Sequence, residues 1–394
     1  MNGDKLRIAM FTDTYLPTRD GVVTSILTTK RKLEELGHKV FLFAPEPDND
    51  ADRENGVYYF RAHSFKKYPG YRIAIFPSNK CEILEELGVD VIHTHGLLAM
   101  AVRSMFAGRV LRKPVVVSFH TMITEASKYY AKLPVPEPVI DRLFWIYLKQ
   151  LLERADAVIV PTKAIRSELS QYAPHMKRIE VIPTGVDCSL FRPEVDGTVI
   201  RKKYGLNREK IVLNVGRIAW EKNLELILDG FSVLRNKNSD VRLMIVGDGP
   251  AREHYMKRAE ELGLADRAIF TGFVPDSELP QYYAASDAFV MASKFETQGI
   301  VVLEAMACGK PVAGINYRAV AEIVEDGVNG YLFDETPESC ADAMEYALGS
   351  PDRVRAAARQ RAEEYSMTDS TKDLVEIYQF AIERKKAFLD GRIK

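Results

Sequence analysis

The sequence predicts an α/β protein of two Rossmann-like, doubly wound domains facing a cleft. Three observations predict it. Short Val- and Ile-rich runs alternate with amphipathic stretches along the chain. The alternation breaks at a turn-rich segment near residue 185 and then restarts. At 394 residues the chain is too long for one ordinary core.

In the first half, 7–12, 39–44, 57–61, 91–95, 115–119, 157–160 and 180–182 read as strands, with a helix over 22–36 closed by Gly37. Near-continuous apolar runs separated by helices indicate a parallel sheet covered on both faces. The second half repeats the pattern, with strands at 211–215, 242–246, 268–271, 288–291 and 311–313. Helices are expected over 223–235, 251–262, 277–285 and 298–307. Ile182-Pro183-Thr184-Gly185-Val186-Asp187, followed by Phe191-Arg192-Pro193, reads as the linker. The domains are therefore drawn at 1–185 and 186–372, with a C-terminal helix at 373–394 that is a candidate to cross back onto the first. Ligands of such sheets sit beyond the carboxyl ends of the strands, so site residues are sought in the loops that follow them.

Hydrophobic residues make up 46% of the chain and charged residues 28%, an ordinary globular composition. No apolar run approaches the ~20 residues needed to span a bilayer, and the charged start leads directly into a strand rather than a signal peptide. Cys81, Cys188, Cys308 and Cys340 are scattered without a CxxC pair, which argues against a zinc knuckle or redox motif and suits a reducing cytoplasm. Net charge is −1 but unevenly spread: 1–182 holds 26 Lys and Arg against 21 Asp and Glu, the remainder 28 against 34. Segments 55–81 and 91–124 contain no acidic residue. A basic half attracts anionic lipid or anionic substrate. Nucleic acid is not an expected partner.

The sharpest motif is Ser293-Lys294-Phe295-Glu296-Thr297-Gln298-Gly299-Ile300-Val301-Val302-Leu303-Glu304-Ala305-Met306-Ala307-Cys308-Gly309, after the strand 288–291. A turn at Thr297 or Gly299 would present the amides that open the next helix, a setting suited to a diphosphate. Glu304, read as two turns into that helix, can accept hydrogen bonds from vicinal hydroxyls such as those of ribose. Its neighbours are apolar nearly all round, so the helix is buried and the carboxylate needs partners. Glu296 could serve the hydroxyls of a transferred sugar. Asn214-Val215-Gly216-Arg217-Ile218 and Glu221-Lys222-Asn223 follow the first strand of the second half. Arg217 offers a planar fork and Lys222 a point charge, and together they suit two phosphates and the charge that grows on a leaving diphosphate. Cations at a helix start oppose the helix dipole, a conflict that a bound anion resolves. No Asp-x-Asp pair stands in a suitable loop, so no metal and no cofactor is expected.

These motifs resemble glycosyltransferase family 4, retaining enzymes of GT-B fold, whose E-x7-E motif matches Glu296 and Glu304 with Gly309-Lys310-Pro311-Val312 after it. The resemblance runs over nearly the whole chain and includes the loop at Gly21, His120, Gly216-Arg217, Lys222-Asn223 and Gly247-Asp248-Gly249-Pro250. It implies that 1–185 binds the acceptor and 186–372 the nucleotide diphosphate sugar. It also implies that His120, Arg217, Lys222 and Glu296 form the catalytic set, with Glu296 positioning and not forming a covalent bond. Substrate contact falls on Gly21, Val22, His95, Gly216, Gly247, Gln298, Gly299, Ile300, Val301 and Glu304. The backbone of Gly21 and Val22 is expected at the donor phosphate; relatives usually carry two glycines there, and Gly21-Val22 resembles lipid-sugar enzymes, as does Thr297-Gln298-Gly299. Of the pair on the 91–95 strand, His95 is expected to line the cleft and His93 to be structural, since two His without a third ligand do not make a metal site.

The expected acceptor is a lipid of diacylglycerol, phosphoinositide or isoprenoid type, with a soluble sugar or sugar phosphate as the alternative; UDP-glucose and GDP-mannose are both credible donors. Phe65-Lys66-Lys67-Tyr68-Pro69-Gly70-Tyr71-Arg72 interleaves rings and cations as a bilayer-interface loop would, and Tyr129-Tyr130-Ala131-Lys132 is a second such patch. The protein is expected in the cytoplasm, peripheral to the inner face of the membrane. On the helix 138–154, Ile140, Leu143, Phe144, Tyr147, Leu148 and Leu151 form an apolar stripe expected in the core, with Trp145 off it. An epimerase on the same architecture and a regulatory nucleotide-sugar binder fit less well, given E-x7-E and the intact Arg217, Lys222, Glu296 and Glu304. No GxGxxG follows the first strand, which counts against a dehydrogenase.

Overall fold

A computed structural model describes residues 5–18, 20–64, 72–75, 80–120, 137–238 and 240–393. The chain divides into two compact units, Met1–Thr184 with Met367–Lys394, and Gly185–Ser366. The interface loop expected at 65–72, save Arg72, and the Tyr129–Lys132 patch lie outside the described residues.

The first unit is built on strands β1 (Arg7–Phe11), β2 (Lys39–Pro45), β3 (Val57–Phe60), β4 (Ala62–Ser64), β5 (Arg72–Ala74), β6 (Val91–Thr94), β7 (Val115–Ser118), β8 (Ala157–Val160) and β9 (Ile179–Val181). Seven form one sheet in the order β3-β2-β1-β6-β7-β8-β9, all pairs parallel; β4 and β5 make a small antiparallel pair that the sequence reading missed. The order reverses between β1 and β6, so the crevice at their carboxyl ends is this unit's topological switch point. Strands β6, β7 and β8 are buried at every position, as both-face burial requires.

The second unit holds β10 (Lys210–Val215), β11 (Val241–Val246), β12 (Ala268–Gly272), β13 (Ala288–Met291), β14 (Val312–Ile315) and β15 (Gly330–Phe333). They form a parallel sheet ordered β12-β11-β10-β13-β14-β15, with the reversal between β10 and β13. The loops after β10 and β13 are those that carry Arg217 and the glutamate motif. Asn214 on β10 ties the pair together by donating from Nδ2 to the Val290 carbonyl at 2.9 Å.

The last helix, Met367–Leu389, belongs to the first unit. Leu374, Ile377, Tyr378 and Ala381 recur at helical spacing and pack with Leu6, Ile8, Met10 and Ile26 in one core. On the helix Glu137–Arg154 the structure corrects the expected stripe: Leu148 and Leu151 are buried, but Leu143 is 62% exposed. Trp145, expected off the stripe, is half-buried and stacks on Tyr172 with ring centroids 4.1 Å apart. Apolar residues surround this helix at 143–148, so periodicity alone does not select the buried face. No helix among the described residues is long and apolar enough to cross a membrane.

Because Ile377 is 3% exposed, Ile377→Ala is expected to destabilise the first unit by about 2–5 kcal/mol. A thermal melt read by the fluorescence of Trp145 in a Trp220→Phe background, which removes the second unit's tryptophan, should show its transition shifted down.

Candidate active site

In the second unit the two switch-point loops are placed by backbone contacts. After β10, Ile218 N–H donates to the Asp248 carbonyl at 2.9 Å and Gly216 N–H to Val246 at 3.0 Å. Gly247, at φ +135°, lies against the Gly216 carbonyl so closely that a Cβ would strike it. This position therefore excludes larger residues on both conformation and space. The 3₁₀ turn Trp220–Lys222 then leads through Asn223, at φ +53°, into the helix Leu224–Lys237. Arg217 and Lys222 thus sit beside the switch point before that helix begins.

After β13, Ser293 and Phe295 form a side-chain turn, with Phe295 N–H donating to Ser293 Oγ at 3.2 Å. Gly299, at φ +82°, caps the helix Ile300–Ala307 and brings no side-chain oxygen to its first amides. Glu296 lies on the loop, and its Oε1 is 2.6 Å from Lys222 Nζ. Two groups expected to meet a ligand therefore meet each other. Gln298 is buried, while Ile300 and Val301 form the first turn of the helix and are half-buried.

The helix starts at Ile300 rather than 298, so Glu304 sits just beyond one turn, not two turns in. It is 7% exposed and accepts from Tyr283 Oη at 2.7 Å. Burial pushes its carboxyl up to about 7, against the opposing pull of the Tyr283 hydroxyl; Asp276 adds a smaller upward push. Tyr283, fully buried on the helix Leu279–Ala285, is a site residue that sequence reasoning missed. Nothing in the sequence ties it to a carboxylate on another helix.

In the first unit, the loop after β1 meets the loop after β6. Asp13, also missed, accepts from Leu98 N–H at 2.8 Å and from Met100 N–H at 2.9 Å, capping the helix Ala99–Val110. Burial raises its carboxyl while those amides pull it back down. Asp20 caps the helix Gly21–Glu35 and accepts from both Val22 and Val23 N–H at 2.9 Å. The Val22 amide expected at a donor phosphate is thus already given to a carboxylate, and Gly21 stands at the first helical position. His95 follows β6 and His120 follows β7; His95 Nδ1 is 2.9 Å from His120 Nε2. His93 is held at both nitrogens, by Tyr378 Oη and Ser118 Oγ at 2.7 Å each. The structure thus joins Lys222 to Glu296 in one unit and His95 to His120 in the other. Among the described residues no group of three or more His, Cys, Asp or Glu is arranged to hold a metal ion.

The raised carboxyl of Glu304 has a stability consequence. The folded protein holds a proton that the unfolded chain, titrating near 4.5, has already released. That stabilisation is complete below pH 4.5 and is lost as pH rises through about 7. Wild-type Tm should therefore fall between pH 5 and 8 relative to Glu304→Gln, which has no such proton. Parallel Tm curves for the two proteins would contradict this titration.

Comparison with known proteins identifies the family. Residues 19–190 match the family model described as Glycosyltransferase Family 4, and 196–365 that described as Glycosyl transferases group 1. The α-monoglucosyldiacylglycerol synthase of Streptococcus pneumoniae is 32% identical over 96% of this chain and 86% of its own length. That of Acholeplasma laidlawii is 29% identical over 84% and 86%. The crystal structure of Anabaena HepE in complex with UDP-glucose superposes with a TM-score of 0.75 at 21% identity, covering 94% of this chain and 98% of that one. The chain belongs to glycosyltransferase family 4, has the GT-B fold, and is a nucleotide-sugar-dependent hexosyltransferase.

Proposed function

We propose that the chain transfers glucose, with retention, from UDP-glucose to a diacylglycerol-type lipid at an anionic membrane surface. One observation carries the lipid acceptor. The helix Ala99–Val110 and the residue before it expose Leu98, Val102, Phe106 and Val110, one residue per turn, with Phe106 58% exposed. The neighbouring helix Glu137–Arg154 likewise exposes Val139, Leu143 and Ile146. Tyr147 ties the two by donating to the Leu97 carbonyl at 2.8 Å. Arg109, Arg112 and Arg142 are exposed on the same helices and their ends. Apolar residues standing in water beside arginines suit an interface of acyl chains and anionic headgroups. The two relatives that make glucosyldiacylglycerol support the same acceptor and glucose as the sugar.

In this reading the donor diphosphate draws Lys222 away from Glu296 and is held by Lys222, Arg217 and the opening amides of the helix Ile300–Ala307. Glu304, braced by Tyr283, takes the ribose hydroxyls, for which its ionised form is the better acceptor. Glu296, released from Lys222, and His120 contact the glucose. The bond from the sugar's anomeric carbon to the diphosphate oxygen breaks, and a bond to the lipid hydroxyl oxygen forms on the same face. The hydroxyl proton passes to the departing diphosphate oxygen. Arg217 and Lys222 stabilise the charge that grows there, the task a metal ion performs elsewhere.

Arg217→Ala or Lys222→Ala should each cost about 2.7 kcal/mol or more in the transfer step, roughly 100-fold in rate. Wild-type transfer should persist in EDTA. Near-normal rates in both variants, or a strict Mg²⁺ requirement, would remove the charge clamp.

With labelled UDP-glucose and liposomes of phosphatidylglycerol containing diacylglycerol, label should enter the organic phase. GDP-mannose should label far less. Phe106→Glu combined with Leu143→Glu should abolish liposome co-sedimentation and lipid labelling while UDP binding is retained. Label confined to water-soluble sugar acceptors would overturn the lipid assignment.

A further inference from the structure

Glu304 is held by a contact that runs between two helices of the second unit. Tyr283, on the helix Leu279–Ala285, donates to Glu304 Oε2 at 2.7 Å. Burial drives the Tyr283 hydroxyl well above its ordinary range, so the proton stays on the phenol and the carboxylate oxygen is the acceptor. The ring is wedged in place: it meets Phe191 edge-on with centroids 5.6 Å apart and lies 6.0 Å from Phe289. Among the described residues no hydrogen bond reaches the other carboxylate oxygen, Oε1, and that oxygen keeps contact with solvent.

Lys310 makes a second tie between the same two helices. Its N–H donates to the Ala305 carbonyl at 2.9 Å, near the end of the helix Ile300–Ala307 that carries Glu304. Its ammonium donates to the Ala284 and Ser286 carbonyls at 3.1 and 2.8 Å, at the end of the helix that carries Tyr283. Arg201 Nε adds a bond to the Ala285 carbonyl at 2.9 Å. Cations suit these carbonyl ends, where the helix dipole is negative. With the helix ends tied by Lys310, the phenol and the carboxylate keep their separation before any ligand arrives.

We infer that Tyr283 is a positioning residue for nucleotide selection: it holds Glu304 Oε2 and leaves Oε1 to the vicinal ribose hydroxyls, so that the site takes ribonucleotides and rejects deoxyribonucleotides. The role rests on the reading of Glu304 as the ribose acceptor. A carboxylate free to rotate would meet the two hydroxyls in many poses, whereas a fixed one makes their absence costly. The Tyr283 hydroxyl also opposes the upward push of burial on Glu304, which favours the ionised form that accepts from both hydroxyls. Tyr283 acts through Glu304 and touches no ligand itself.

The test measures binding of UDP and of 2′,3′-dideoxy-UDP to the full chain by calorimetry. Wild type should prefer UDP by roughly 100-fold, the scale of two hydrogen bonds to a charged acceptor. Tyr283→Phe keeps the ring and removes the hydroxyl. Its preference should narrow to about 10-fold through weaker UDP binding, with dideoxy-UDP held within about 2-fold of wild type. A general structural loss would weaken both nucleotides together; that result, or an unchanged preference in Tyr283→Phe, would overturn the inference. Glu304→Ala tells the two readings apart. If it keeps the wild-type preference, the ribose reading of Glu304 fails and the role of Tyr283 falls with it. If it loses the preference while Tyr283→Phe keeps it, the ribose reading stands and only the role of Tyr283 falls. Binding needs no acceptor, so the outcome is independent of the lipid assignment.

Discussion

The constraint on which the rest depends is the covering of both faces of each parallel sheet. Strands such as β7 and β13 are buried along their whole length, so neither face can host polar chemistry without an unpaired group in the core. What remains is the carboxyl edge, and within it the place where the strand order reverses. In the first unit that place lies between β1 and β6, whose loops bring Asp13 against the helix Ala99–Val110 and put His95 beside His120. In the second it lies between β10 and β13, whose loops bring Lys222 against Glu296. Each unit thus brings its candidate site residues to one edge.

Those groups are held in mutual compensation. Lys222 offsets Glu296, helix amides offset Asp13 and Asp20, and the Tyr283 hydroxyl partly offsets the burial of Glu304. A polar group buried without such a partner would be costly, so the arrangement keeps the edges rigid before any ligand arrives. The same pairing means that a ligand at Lys222 exchanges an existing contact instead of filling an empty one.

Much of this was legible in the sequence because it is local. The strand read at 7–12 is Arg7–Phe11, and that at 288–291 is Ala288–Met291, since apolar runs bounded by turn residues announce themselves. The spacing of Glu296 and Glu304 and the loops of Arg217, Lys222 and His120 were equally visible. What was not legible depends on chain-distant contact. Tyr283 with Glu304 joins two helices, His95 with His120 joins two strand ends, and His93 with Tyr378 spans 285 residues. Strand β15, Gly-Tyr-Leu-Phe with its two middle residues only half-buried, carries too weak a pattern to stand out. The helix Glu137–Arg154 failed for the opposite reason: its apolar residues wrap around it, and only packing selects which face is covered.

The docking of Met367–Leu389 beside β1 also sets an order of assembly. The first unit is not continuous in sequence: its closing helix is synthesised only after the whole of Gly185–Ser366. During translation the second unit can complete its core while the first still lacks Leu374, Ile377, Tyr378 and Ala381 over Leu6, Ile8 and Met10. The first unit is therefore finished only after the second, and the hydroxyl that steadies His93 arrives with its closing helix. A nascent chain in this state displays an apolar flank until the helix Met367–Leu389 emerges.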